Sequence, residues 1–101
     1  MRRPQESLRQ AQQLYKEALY EDCLDKLCEC KESFQWEDLT IEMKQSQPKL
    51  YQFILNCHLL TGHCEIKLER YRIAADTCDK ILQVEENYEA LIIKATSLAA
   101  R

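Results

Sequence analysis

Apolar residues recur at spacings of three and four along most of the chain. Leu8, Ala11, Leu14, Tyr15, Ala18 and Leu19 fall on one side of a 3.6-residue helix, which predicts an amphipathic helix over about 7–18 with Ser7 as its N-cap. Cys23, Leu24, Leu27 and Cys28 continue the period after Tyr20-Glu21-Asp22, whose acids suit the positive end of a second helix over about 21–32. The stretch 34–47 is mixed. Trp36, Leu39 and Met43 keep helical spacing between Ser33 and Ser46, so it reads as a short helix or an ordered loop. Pro48 suits the first position of a long helix carrying Leu50, Phe53, Ile54, Cys57, Leu60, Cys64 and Leu68. A helix over about 71–84 turns Ile73, Ala74, Cys78, Ile81 and Leu82 inward, and Glu85-Glu86-Asn87 ends it. A last helix begins near Tyr88. Its Leu91, Ile92, Ile93, Ala95, Leu98 and Ala99 are apolar around more than one face, and a two-layer domain cannot cover them all.

Composition agrees with an all-helical chain. One Gly and two Pro in 101 residues leave little support for tight hairpins, and both Pro lie outside the periodic stretches. The length is that of one domain with one modest core. With 14 basic against 17 acidic side chains in mixed order, no field exists to hold nucleic acid by counterion release. The longest apolar runs, such as Ala90 to Ile93, fall far below the roughly 20 residues needed to span a bilayer. No apolar run follows the charged start Met1-Arg2-Arg3, so no secretory leader is expected; the compartment expected is the cytoplasm or nucleus, where six Cys stay reduced.

The chain also repeats itself. Ala11-x3-Tyr15-x4-Tyr20-x2-Cys23 aligns with Gly62-x3-Ile66-x4-Tyr71-x2-Ala74, a displacement of 51 residues. Small residues at a helix crossing, with an aromatic opening the second helix, let two antiparallel helices approach closely. On these residues, and on the stretch from Asn56 through Gly62, Tyr71, Ala74 and Cys78 to Leu82 with Asn87-Tyr88-Glu89-Ala90-Leu91 behind it, the chain resembles the tetratricopeptide repeat, in the form found in immunophilin and aryl-hydrocarbon-receptor-interacting co-chaperones. The resemblance implies two stacked helical hairpins in a right-handed superhelix: a first repeat over about 7–33, an insertion over about 34–47, a second repeat over about 48–86 and an extra helix over about 88–101. It implies a non-catalytic adaptor that holds a peptide or helix of a partner within a chaperone-linked or other multiprotein assembly.

Two consequences follow from the resemblance. Such co-chaperones grip the acidic tail of heat-shock chaperones with Lys, Asn, Asn, Lys and Arg on the first helices of successive repeats. Those places here hold Leu8, Gln12, Leu60, Glu89 and Ile93, and without the charges the carboxylate cannot be captured. The concave face would instead expose Arg9, Gln12, Lys16, Asn56, Leu60, His63, Lys67 and Lys94, basic on balance, which would suit an acidic or amphipathic segment; ordinary solvated helix surface is the equal alternative. A terminal repeat also needs a polar outer side, so the apolar Ile92, Ile93 and Leu98 predict an assembly surface, for a homodimer, a larger array or a partner.

Other chemistry fares less well. Cys57, His58, His63 and Cys64, with Cys23, Cys28 and Cys30, invite a zinc site. The first four lie along one helix, however, with the two His about 140° apart, whereas structural zinc ligands cluster on turns. Cys23, Cys30, Cys64 and Cys78 fall where the repeat wants small core residues, so packing is the preferred reading and no metal or other cofactor is expected. Cys57 and His58 point about 100° apart, no glycine-rich loop cradles phosphate, and the carboxylates sit on polar faces, so no enzyme is expected. Phe34 and Trp36 read as packing residues before partner anchors.

Overall fold

The computed structural model describes residues 4–34 and 40–100, with side chains for 6–29 and 40–100. Among them are six α-helices and no strand: α1 (Pro4–Lys16), α2 (Tyr20–Phe34), α3 (Ile41–Ser46), α4 (Pro48–Lys67), α5 (Tyr71–Leu82) and α6 (Tyr88–Ala99). The chain is all-α, as its periodicity predicts. It divides into two compact units, 1–37 and 38–101.

In the first unit α1 packs on α2. Leu8 and Ala11 from α1 meet a core that also takes Cys23 and Leu27 from α2, and Tyr15 and Tyr20 stack edge to face at 5.4 Å across the turn. Ser7 does not cap α1. The helix starts earlier, at Pro4, where a missing N–H costs nothing, and Ser7 is buried inside it. Cys28 and Leu19, expected to face inward, are exposed. Leu19 lies beyond the end of α1, where the helical period no longer decides which way a side chain points.

The second unit is built on α4. Pro48 opens it, and Tyr51, Ile54, Leu55, Cys57, Leu59, Gly62, Cys64 and Glu65 are buried around much of its circumference. A helix covered so widely must be central, and α3, α5 and α6 all pack on it. From α5 come Ala74, Ala75, Cys78 and Ile81. Ile73, expected among them, is instead exposed on the polar side of α5, near the register of Asp76 and Lys80. Asn87, read as part of a helix end, starts the next helix: its side chain accepts from the Ala90 N–H at 2.9 Å.

The insertion contributes α3, capped by Thr40, whose Oγ1 accepts from the Met43 N–H at 3.0 Å. No residue of α3 is buried. It is tied down by Lys44, whose Nζ lies 3.9 Å from a Glu85 carboxylate oxygen and 5.8 Å above the Tyr51 ring. Tyr51 in turn donates its hydroxyl to Glu85; burial first, then that hydrogen bond and the carboxylate's charge, raise the phenol's pKa far above its usual range. The expectations for Phe34 and Trp36 lie outside the described side chains.

The 51-residue displacement reappears in the backbone. Both hairpins turn through one non-glycine residue in the left-handed region, Ala18 at φ 62° and Glu69 at φ 61°. Ala18 N–H donates to Tyr15 and Leu19 N–H to Leu14, at 3.0 and 2.9 Å; Glu69 N–H donates to Ile66 and Arg70 N–H to Glu65, at 3.0 and 2.8 Å. Each is a Schellman closure, which satisfies the last carbonyls of the first helix. Helix ends at Lys16 and Lys67, and restarts at Tyr20 and Tyr71, keep the same register. Glycine is the residue without a penalty at such a φ. Ala18→Gly and Glu69→Gly are therefore each expected to stabilise their hairpin by about 0.5–1 kcal/mol, read as a higher urea midpoint with an unchanged slope.

Candidate interaction surface

Helix α6 has two unlike faces. Ala90, Ile93 and Ser97, spaced by three and four, are buried against α4 and α5. On the opposite side Tyr88, Leu91, Ile92 and Leu98 are 79%, 47%, 48% and 52% exposed, and Ala95 and Ala99 join them. Positions 88, 91, 92, 95, 98 and 99 form one stripe along a 3.6-residue helix, so the exposed apolar residues are contiguous. Of the three residues expected to form an assembly surface, Ile92 and Leu98 lie on this stripe. Ile93 does not: it is 2% exposed, with its Cγ2 and Cδ1 against the Gly62 backbone. Neighbours in a helix point about 100° apart, so Ile92 and Ile93 cannot share a face.

Polar side chains border the stripe in pairs. On the α4 side His63 Nε2 lies 2.6 Å from Glu89 Oε1, and on the α5 side Lys94 Nζ lies 2.5 Å from Asp79 Oδ1. The expected groove residues are therefore less basic in place than in sequence. His63 and Lys94 each sit beside an acid absent from the expected set. Asn56 accepts from Gln52 Nε2 at 3.1 Å, Leu60 is half-buried, and Lys67 is exposed at the end of α4. Arg9, Gln12 and Lys16 are exposed on α1, in the first unit.

One carboxylate departs from the polar faces assigned to the acids. Glu65 is 7% exposed and accepts a hydrogen bond from Thr77 Oγ1 at 2.8 Å, linking α4 to α5. Burial raises its pKa above the ordinary carboxylate value, with Asp76 adding to the rise; the Thr77 hydrogen bond, Arg70 and Lys80 oppose it. The repeat held a signal for this: 51 residues earlier stands Leu14, so Glu65 occupies an apolar register.

Most of the described thiols are placed for packing. Cys23, Cys57, Cys64 and Cys78 are buried, and Cys78 is pushed up to about 11 by burial, then by the charges of Glu65 and Asp79. A thiol so raised stays protonated and unreactive near neutral pH. Among the described residues no cluster of His, Cys, Asp and Glu has a metal site's geometry, and no helix is long and apolar enough to cross a membrane. The side chain of Cys30 lies outside the described residues. Compared with known proteins, the chain matches no family model, no curated protein and no solved structure.

Proposed function

We propose that this chain is a non-catalytic interaction module of tetratricopeptide type, an adaptor whose second unit docks an amphipathic helix of a protein partner along the outer face of α6. The observation that carries this reading is the stripe Tyr88, Leu91, Ile92, Ala95, Leu98 and Ala99, exposed along the whole helix. Contiguous exposed apolar surface of this kind marks interaction sites. The rim pairs, His63 with Glu89 and Lys94 with Asp79, favour an uncharged apolar contact over capture of an acidic tail, and the five clamp positions, which lack the required residue types, point the same way. The duplicated Schellman turns support the repeat reading.

A fluorescein-labelled helical peptide with Leu at core positions and Gln elsewhere, as long as α6, is expected to bind saturably and with little dependence on salt. Ile92→Glu is expected to weaken it by about tenfold or more, because docking would then bury an unpaired charge. The reading fails if this peptide does not bind. It fails equally if an acidic peptide binds instead, weakened by salt and by Lys16→Ala or Lys67→Ala.

Self-association along the same stripe is the second reading. Tyr88, Leu91, Ala95 and Leu98 follow the a and d spacing of a heptad, as a helix pair requires. A patch of roughly a few hundred Å² is small beside the ~800 Å² per partner of a standard interface. A dimer would therefore form only at high concentration, and light scattering across a concentration series, with and without Ile92→Glu, separates it from docking of a different chain.

A further inference from the structure

The buried acid at the α4–α5 crossing takes no part in docking, and its position is unusual. Glu65 stands two residues before the end of α4, and its own carbonyl accepts the Arg70 N–H that closes the turn. Its carboxylate is 7% exposed and reaches across to the Thr77 hydroxyl of α5. The other hairpin places Leu14 at this register. A carboxyl group thus stands where the other hairpin has a hydrocarbon, and holding it there as an ion is costly.

We propose that the α4–α5 hairpin is a proton-responsive clasp: proton uptake at the Glu65 carboxyl tightens the hairpin, and proton release loosens it. The neutral acid removes the cost of a buried charge and can still accept from Thr77 through its carbonyl oxygen. The surrounding charges do not cancel the burial. Asp76 of α5 opposes ionisation, while Arg70 of the turn and Lys80 of α5 favour it; from α6, Lys94 acts on the neighbouring Cys78 and is paired with Asp79. The proton is held more tightly in the folded state than in the unfolded chain. The stabilisation is therefore complete below the ordinary carboxylate value of 4.5 and is lost as pH rises through the raised folded value.

The test uses the whole chain and two readouts. The Glu65 carboxyl resonance, followed by NMR, is expected to titrate above 4.5. Amide-exchange protection of Ala74 to Cys78, corrected for intrinsic rates, is expected to fall with rising pH through the same range. Glu65→Gln and Glu65→Leu are expected to lose this component, so the ratio of variant to wild-type protection grows with pH, by about tenfold at its limit for each unit by which Glu65 titrates high. Any pH effect that arises elsewhere in the chain is shared by wild type and variants and drops out of the ratio. An ordinary titration of Glu65 overturns the proposal, as do parallel pH profiles for wild type and variants. Should the variants fail to fold, the wild-type titration still decides.

Discussion

Replacing Ile93 with alanine is expected to cost the second unit about 2–4 kcal/mol, whereas Ile92→Ala changes its stability by no more than about 0.5 kcal/mol. The two residues are adjacent, identical in type and part of the same apolar run, so the contrast isolates the face of α6 on which each lies. Ile93 is 2% exposed and its branch methyls lie against the Gly62 backbone, where alanine leaves a cavity that two packed helices cannot close. Ile92 has nearly half its surface in water and loses little. Exchange protection of α4–α6 amides, or thermal unfolding followed through the same unit, measures both. Equal effects would mean that the docking stripe has been assigned to the wrong side of the helix. Ile93→Glu is therefore a test of folding, and Ile92→Glu is the test of docking.

What the sequence revealed depended on how sharply each pattern was phased. The hairpins were legible in outline, with helix ends off by one to three residues, because Ala11 and Gly62, Tyr20 and Tyr71, Cys23 and Ala74 combine size, aromaticity and spacing, and the turn between them admits few solutions. Helix α6 was legible as a helix but not in rotation. Leu91-Ile92-Ile93 is apolar on three successive positions, and only contact with α4 and α5 selects the one that faces in. Ser7 misled because Ser suits a cap and a buried helical site alike, and Pro4 had already opened the helix. The groove's charge was misjudged for a different reason. His63 with Glu89, and Lys94 with Asp79, are neighbours only after three helices pack, so counting charges along one helix omitted both acids. Glu65 was hidden by its type, since carboxylates are rarely buried, although its register beside Leu14 was in plain view.

Gly62 tests how far the small-residue rule at the crossing extends. A Cβ at this position would lie 3.4 and 3.5 Å from Ile93 Cγ2 and Cδ1 and 3.7 Å from Cys78 Sγ. Those are the distances of atoms in contact, so one methyl group fits if the Ile93 side chain yields slightly. Glycine inside a helix costs about 1 kcal/mol relative to alanine. Gly62→Ala is thus expected to stabilise the second unit by about 0.5–1 kcal/mol; the first hairpin carries a fully buried alanine, Ala11, at the same register. Leucine adds three more carbons where Ile93 and Cys78 stand, and overpacking of this kind costs about 1–3 kcal/mol or more. Gly62→Leu is expected to lower the urea midpoint by that amount and to weaken peptide docking too, because α6 would have to move off α4 to make room. If leucine were instead tolerated as well as alanine, α6 could not be packed against α4 through Ile93, and the orientation of the docking stripe would have to be redrawn.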